Sequence, residues 1–416
     1  MRKGFILTVI FTFFLLTGTS YASDVDSLMD LLLKKGIITQ KEYKELKTEI
    51  KEEVKKEGEK VTGEGSSATK WSERVSIEGT VAGEYRWMKH RDVTAKDSDS
   101  TSDLYLRTVE LSLEAELAGW ITAAITVNYE WIGDNVNRGD EKLTVDEAAI
   151  TLRKEGVPLY LIAGKRTQPF GVFESHLVTD PVTQDAYETK RTGVTLGYQR
   201  PFMDLDASVT VYKGEEMMTH LFESGLFDAD NISRVSDPAG DDVGSYILNI
   251  SITPIAEHLS LSAAYLSEIG TGKRNNSLSL SATYNCLFIE GLSIDAEYIT
   301  ALQREKYRDA ATVLTDNYKE SVLSLGAAYR VTEPVEVALR YEHFDDDGLA
   351  KETGTWSVED RYSIGGTYTF YEKEDLCVSS YLALEYRKTD YRLSEAVKAS
   401  MDDNNSELYM RLGMEF

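Results

Sequence analysis

The chain is poor in cysteine, in proline and in long apolar runs. It has two cysteines, Cys286 and Cys377, and seven prolines among 416 residues. Strand parity places the two thiols on opposite faces, so we expect both to be free. No HExxH or paired-cysteine spacing occurs, and the sequence therefore predicts no metal site and no other cofactor. Beyond the first 20 residues nothing approaches the ~18 apolar residues of a membrane helix, so a membrane role would require a β-barrel.

Positive charge is also scarce. Lysine and arginine total 45 against 70 aspartates and glutamates, which leaves a formal net charge of −25. Such an acidic chain would repel the phosphates of nucleic acid, so we expect no nucleic-acid partner. Polyanionic solutes would be repelled at long range for the same reason.

The first residues have the pattern of an export signal. Arg2 and Lys3 precede the apolar stretch Phe5 to Leu16, and Ser20-Tyr21-Ala22 fits the small-x-small cleavage rule. The sequence therefore predicts a signal peptide over 1–22. A secreted chain with no apolar helix can reach the periplasm or the outer membrane of a Gram-negative bacterium.

Residues 23–57 differ from everything after them. Thr39 and Glu42 make a capping box, and Tyr43, Leu46 and Ile50 recur with helical spacing among lysines and glutamates. This pattern predicts a helical extension, and both a short coiled coil and a monomeric helical hairpin remain open. Glycine and serine then mark a flexible linker over 58–72.

From residue 73 onward the hydrophobic period is two. The last strand shows it most clearly, because apolar side chains alternate with polar or small ones up to the terminal Phe416, namely Leu408, Met410, Leu412 and Met414. About sixteen such segments follow one another, with fourteen or eighteen as alternatives. A phase slip between Val145 and Ala148 predicts a β-bulge.

The gaps between these segments alternate between long and short along the whole chain. Long gaps such as 166–189 and 302–320 alternate with gaps of two to four residues such as 118–119 and 332–333. Outer-membrane barrels have an even strand number, short periplasmic turns and long outer loops. We therefore predict an all-β transmembrane fold, a ~16-stranded antiparallel outer-membrane β-barrel over 73–416 with the helical segment as a periplasmic extension.

Several segments resemble the LbtU-type siderophore porin family. They are Leu31 to Thr39, Thr108-Val109-Glu110-Leu111, Val145-Asp146-Glu147-Ala148, Ile150-Thr151-Leu152, Ala163-Gly164-Lys165, Pro169 to Glu174, and Asp180-Pro181-Val182-Thr183. The resemblance covers about a quarter of the chain. It implies an outer-membrane barrel for small solutes, in a family named for the uptake of iron–siderophore complexes.

The third long gap, 166–189, predicts the pore constriction. Its aromatic residues would be costly in water, whereas a porin lumen offers a wall on which they can pack. The loop resembles the third loop of general porins, which folds inward. The predicted constriction residues are Lys165, Arg166, Phe170, Phe173, Glu174 and His176.

Parity also predicts which wall charges face the lumen. Rings of charge set selectivity in channels, although each residue could equally be an ordinary solvated side chain. The predicted lumen-facing charges are Glu78, Glu84, Glu114, Glu130, Arg340, Arg361, Arg387 and Arg411.

The function that these patterns favour is an outer-membrane channel for passive or selective uptake of small solutes, iron–siderophore complexes among them. The acidic loops predict cation preference. We expect contact with outer-membrane lipid and lipopolysaccharide, and leave open a homotrimer and a cell-wall contact through the N-terminal helix. The alternatives are a structural anchor and, more remotely, an enzyme at the barrel rim. No catalytic spacing stands out, so we predict no enzymatic activity.

Overall fold

The computed structural model describes residues 74–134, 142–234, 242–270, 272–309, 312–373 and 377–416. The signal peptide over 1–22, the helical extension over 23–57 and the linker over 58–72 lie outside these residues and remain predictions.

Sixteen strands in this described part of the chain close into one antiparallel barrel, which confirms the predicted fold class. Each strand pairs with the next barrel strand in sequence, and the last pairs with the first. The bounds are β1 Val75–Met88, β2 Thr101–Ala118, β3 Ile121–Ile132, β4 Leu143–Arg153, β5 Leu159–Thr167, β6 Lys190–Arg200, β7 Leu205–Lys213, β9 Val243–Ile255, β10 Leu259–Ile269, β11 Arg274–Asn285, β12 Leu292–Gln303, β15 Ser321–Thr332, β16 Val335–Asp345, β17 Trp356–Lys373, β18 Val378–Leu393 and β19 Asn404–Glu415.

Smaller elements lie in the long loops. The strands β8 Ile232–Arg234, β13 Tyr307–Asp309 and β14 Thr312–Val313 pair as a separate sheet. Three short helices are α1 Val182–Tyr187, α2 Glu216–Glu223 and α3 Leu349–Thr353. The strand pattern of the sequence does not reveal these elements, because they are too short to show a period of their own.

The alternation of side chains along the strands sorts them between the two faces of the wall. On β19, the outward side chains of Met410 and Leu412 are 42% and 57% exposed, whereas the inward side chain of Tyr409 is 5% exposed. The apolar side chains therefore form the outer surface of the barrel, and the polar ones point inward.

The terminal phenylalanine helps to close the barrel. Phe416 exchanges both backbone hydrogen bonds with Gly79, with N–O distances of 2.7 and 3.0 Å. A Cβ atom on Gly79 would lie 2.5 Å from the Phe416 ring, so glycine at this position lets the ring pack directly on β1.

Two irregularities change which residues point inward. The predicted bulge is confirmed, because Thr126 pairs with Glu147 and Val127 with Val145, which leaves Asp146 unpaired between them. On β2, the pairs Leu106–Ile132 and Thr108–Glu130 keep the same register with β3, and only Arg107 and Trp131 between them are unpaired. Trp131 has a positive φ of 58°, and at this local irregularity Arg107 turns inward toward the third long loop, against simple parity.

The two ends of the barrel differ in the length of their connections. One end has short turns, such as 119–120 and 333–334, and the other has the long loops, as the gap lengths predicted. Cys286 and Cys377 lie at the short-turn end, and Cys286 is a free thiol.

Part of the barrel interior is apolar. Residues from four long loops (168–189, 214–242, 304–320 and 346–355) pack on inward side chains of the wall. We call this cluster the internal core. It consists of Phe170, Val182, Ala186, Tyr187, Tyr212, Met217, Met218, Leu221, Leu226, Phe227, Ile232, Ile247, Ala264, Leu266, Ile299, Tyr307, Leu314, Tyr318, Val322, Phe344, Leu349 and Val358.

Candidate functional site: the third loop inside the barrel

The loop between β5 and β6, residues 168–189, runs through the interior and contacts strands far from its own ends. We call it the third loop. It begins with a turn in which Gly171 and Phe173 both have positive φ, 87° and 57°. A Cβ atom on Gly171 would lie 2.3 Å from the Phe173 ring, so glycine is required where the aromatic ring folds back.

Carboxylates of the opposite wall hold the backbone of the third loop. Glu297 on β12 accepts hydrogen bonds from the backbone N–H groups of Val172 and Phe173, at 2.7 and 3.2 Å. Glu385 on β18 accepts from the N–H and the hydroxyl of Thr179, at 2.7 and 2.8 Å. Charged acceptors make stronger hydrogen bonds than neutral ones, so these wall residues fix the path of the loop.

A second tie comes from β16. The Arg340 guanidinium donates to the Ser175 hydroxyl at 2.8 Å and to the carbonyl oxygens of Thr179 and Asp180, both at 3.0 Å. Its neighbour on the same strand, Glu342, accepts from the backbone N–H of Val182. Together, β12, β16 and β18 hold the loop at successive points along its length.

His176 lies between two carboxylates. Its Nε2 is 3.3 Å from Asp295 Oδ2 on β12, and its Nδ1 is 3.0 Å from Glu336 Oε1 on β16. The hydrogen bond to Asp295, opposed by burial and supported by Glu336, raises the pKa of His176 to about 9. The imidazole is therefore charged at neutral pH and joins the loop to two strands.

The aromatic residues of the loop have different surroundings. Phe170 is fully buried in the internal core, with its ring centroid 6.1 Å from that of Tyr187. Phe173 is partly buried and packs against the core from outside. Tyr187 donates a hydrogen bond to Glu320 at 2.9 Å, and burial raises its pKa well above the ordinary tyrosine value, so it remains a neutral donor.

The other predicted constriction residues are spread more widely. Glu174 is exposed and borders a small cavity with Phe173, Asp295 and Glu297. Arg166 points inward, as does Arg191, the residue that faces it on β6. Lys165 lies opposite Thr192, on the outward parity, and its Nζ donates to Val145 O at 2.6 Å. The structure therefore separates Lys165 from the loop residues with which the sequence grouped it.

Each of the four arginines that were predicted to face the lumen has a carboxylate partner. The shortest N–O distances are 3.0 Å for Arg340–Glu342, 2.9 Å for Arg361–Asp185, 2.6 Å for Arg387–Glu407 and 2.7 Å for Arg411–Glu84. Their positive charge is largely balanced within the wall and the third loop. Among the predicted glutamates, Glu84 is buried and Glu130 pairs with Arg107, whereas Glu78 and Glu114 are exposed.

Arg107 is the main residue that the sequence analysis missed. Its guanidinium is 2.6 Å from Glu130 and 3.6 Å from Asp180 of the third loop, and it stacks 4.1 Å from the centre of the Trp131 ring. Trp131 has φ of 58° and stacks on Tyr105. Parity alone would point Arg107 outward, and only the local irregularity at the unpaired Arg107 and Trp131 reveals its contact with the loop.

The wall carboxylates Glu297, Glu342 and Glu385 were also missed. Each lies on the polar parity of its strand, but nothing in the sequence distinguishes them from other inward glutamates. Their partners are backbone N–H groups of a loop that lies 100 or more residues earlier in the chain. Pairing of this kind leaves no local pattern.

Two further observations concern the described residues as a whole. Within the described residues, no group of three histidine, cysteine, aspartate or glutamate side chains is arranged to hold a metal ion. No helix in the same part of the chain is long and apolar enough to cross a membrane.

Comparison with protein families and curated sequences gives limited information. No family profile matches this chain, so membership of the siderophore porin family stays a prediction. A UPF0422 protein of Coxiella burnetii (strain RSA 493 / Nine Mile phase I) is 26% identical over 270 residues, which span 62% of this chain. The match covers 53% of that protein, or about half of its length.

Solved structures of outer-membrane porins share the fold. An anion-selective porin from Comamonas acidovorans is 14% identical with a TM-score of 0.54, and covers 82% of this chain and 99% of its own. The outer-membrane channel DcaP of Acinetobacter baumannii is 14% identical with a TM-score of 0.55, over 82% and 96%. Salmonella typhi OmpF, solved with daunomycin, is 12% identical with a TM-score of 0.56, over 82% and 97%. At this identity the likeness establishes the barrel fold.

Proposed function

We propose that this chain is a channel of the Gram-negative outer membrane through which small solutes diffuse. The observation that carries the proposal is the third loop, which crosses the barrel interior and is tied to β12, β16 and β18 by carboxylates and by Arg340. A loop held at several points narrows the barrel to a defined cross-section without filling it. The apolar outer face would contact lipid and lipopolysaccharide, and the porin fold makes a homotrimer the assembly to test.

The charge distribution supports cation preference. The inward arginines of β16 to β19 have carboxylate partners, whereas β2 to β4 present inward glutamates. Glu110 has Asp146, Glu130 and Glu147 among its electrostatic neighbours, with Lys190 as the opposing charge. An excess of carboxylates along one wall attracts cations and repels anions in a lumen where screening is incomplete.

The resemblance to siderophore porins suggests one class of larger solute. Iron–siderophore complexes that are neutral or positively charged would suit this lumen, whereas complexes with several free carboxylates would be repelled. The proposal therefore extends to uptake of such complexes, with neutral and cationic forms preferred over anionic ones.

Conductance with ion selectivity in planar bilayers tests the proposal. We expect an open channel with a cation-selective reversal potential at 0.1 M salt, and weaker selectivity toward 1 M, where the Debye length falls from ~10 to ~3 Å. Glu110→Gln should reduce the cation/anion permeability ratio about twofold. Glu257→Gln, on an exposed turn at the short-turn end, is the matched control and should leave the ratio unchanged. A preference for anions in the unmodified protein would refute cation selectivity.

A structural anchor is the second candidate. The internal core favours it, because a lumen partly filled with apolar side chains suits a barrel whose role is mechanical. In that case the N-terminal extension would contact the cell wall. A folded barrel that shows no conductance in the same bilayers would support the anchor and exclude the channel.

A further inference from the structure

The internal core covers only one side of the barrel wall. We call the strands β7, β9 to β12 and β15 to β18 the sealed wall. Each of these strands contributes an inward side chain that is no more than 5% exposed. These residues are Thr210, Ile247, Ala264, Ser279, Ile299, Val322, Ala338, Ser363 and Ala383.

The strands β2 to β5, which we call the open wall, differ. Most of their inward residues remain partly exposed and are small or polar, and the buried exceptions are Tyr105, Asn128 and Tyr160. Ser112 on β2, Thr126 on β3, Ala149 on β4 and Arg166 on β5 are examples. No residue of β2 to β5 belongs to the internal core as described. The open wall therefore faces solvent inside the barrel.

The third loop forms the boundary between the two sides. Phe170, Val182 and Tyr187 pack into the internal core and away from the open wall. Asp180, whose side chain is half exposed, instead points to Arg107 of β2, which also pairs with Glu130 of β3. The loop thus directs apolar side chains to the sealed wall and a charged edge to the open wall.

The other loops strengthen the seal. The pairing of β8 with β13 joins the loops 214–242 and 304–320, and the Phe222 ring of the first lies 5.1 Å from the Tyr307 ring of the second. Glu352 on α3 bonds to Thr315 and to Tyr318. Because these loops also contact each other, they cover the sealed wall as one packed unit.

We infer that solutes cross the barrel off its axis, in a crescent between the third loop and the open wall, and that the sealed wall contributes nothing to permeation. This inference rests on the proposed channel function. It assigns solute selection to Glu110, Glu130 and Glu147, with Asp180 on the facing loop. The solute class that fits is a small hydrophilic cation, since the inward carboxylates Glu110, Glu130 and Glu147 outnumber the inward arginines Arg107 and Arg166 on the open wall.

The chain offers a matched pair of positions for the test. Ser112 and Thr126 face each other across β2 and β3 with their hydroxyls 2.8 Å apart. Thr195 and Thr210 face each other across β6 and β7 with the same separation of 2.8 Å. Thr126 is partly exposed and Thr210 is 0% exposed. The same substitution, threonine to cysteine, thus probes both walls in the same local environment.

The experiment uses the full chain with Cys286→Ser and Cys377→Ser as background. Thr126→Cys and Thr210→Cys are treated with a cationic methanethiosulfonate, and modification is followed by intact mass and by channel conductance. We expect Thr126→Cys to react more than about tenfold faster than Thr210→Cys and to lose about half of its conductance or more. Heat-dependent gel mobility verifies that each barrel is folded.

The outcomes separate the inference from the function on which it rests. Equal labelling rates, or block through Thr210→Cys, would overturn the off-axis crescent even if the protein conducts. Preferential labelling of Thr126→Cys in a protein that conducts no ions would support a wetted crescent and refute the channel. If Thr210→Cys fails to fold, Ser363→Cys on β17, which is 5% exposed, replaces it as the probe of the sealed wall.

Discussion

The open wall and the sealed wall are built from strands of the same kind, yet they have different interiors. Both alternate apolar and polar side chains, and a pair of facing hydroxyls lies on the open wall between β2 and β3 and at the edge of the sealed wall between β6 and β7. They differ in what the loops place against them. On the sealed wall, four loops add the apolar residues of the internal core, whereas on the open wall the third loop presents Asp180 to Arg107. The comparison shows that loop packing, rather than strand composition, determines which part of the barrel interior remains accessible to water.

Removal of part of the third loop should have the largest effect on this difference. Deletion of 168–180 removes Phe170 from the internal core, and with it the residues bound by Glu297 and Glu385. The strand pairing that holds the barrel does not involve this segment, so the barrel should still assemble. We expect single-channel conductance to rise severalfold.

Single-channel recording of the folded deletion variant is the measurement. Unchanged conductance would place the constriction elsewhere and would remove the functional role proposed for Arg166, Phe170, Phe173, Glu174 and His176. Retention of the heat-dependent gel shift is the control for assembly.

A single substitution in the internal core should have an intermediate effect. Phe170→Ala removes a fully buried ring, and truncations of this kind cost ~3–5 kcal/mol. This loss of free energy should weaken the packing of the third loop on the wall and leave the barrel intact, because the strands keep their own hydrogen bonds. We expect cleavage of the loop by a nonspecific protease to become about tenfold faster or more.

Phe288→Ala is the matched control, because Phe288 is 90% exposed at the short-turn end. It should not change the cleavage rate. Equal cleavage rates in Phe170→Ala and in the unmodified protein would show that the Phe170 ring does not hold the loop on the sealed wall.

The smallest effect should come from pH. The pKa of His176 is raised to about 9 by its two carboxylate partners, so its ties to Asp295 and Glu336 are complete below the ordinary histidine pKa of ~6.5. They weaken as pH rises through about 9. We expect open-channel current noise to increase between pH 7 and pH 10 as the loop loosens.

His176→Gln keeps a polar side chain without this titration, and its noise should change little over the same pH range. An identical pH response in both proteins would assign the effect to other groups. The comparison between the two proteins is therefore more informative than either pH profile alone.

Much of the architecture could be predicted from local patterns. The period of two, the alternation of gap lengths and the phase slip at Asp146 predicted the barrel, its strand number and its bulge, because each is a property of consecutive residues. The apolar residues of 166–189 predicted a loop that packs on the inner wall of the barrel. The small sheet of β8, β13 and β14 and the short helices were not predicted, since segments of two to eight residues carry too little periodicity.

The candidate site was predicted less completely. Lys165 was grouped with the constriction residues because it adjoins the loop in the sequence, but it lies opposite Thr192 on the outward parity of β5. Arg107 could be placed only after the local irregularity at the unpaired Arg107 and Trp131 was known. Strand parity is reliable between irregularities and fails across them, because a local irregularity can exchange the two faces.

The sequence by itself determined a closed antiparallel barrel with an apolar exterior, since side-chain alternation and gap length are encoded locally. Only the tertiary structure decided which glutamates hold the third loop, which arginines are neutralised and which side of the lumen is sealed. Those contacts join residues separated by as many as 327 positions, as in Glu84 with Arg411. The closure of the barrel brings such residues together, and the chain contains no local signal of which inward charges will meet.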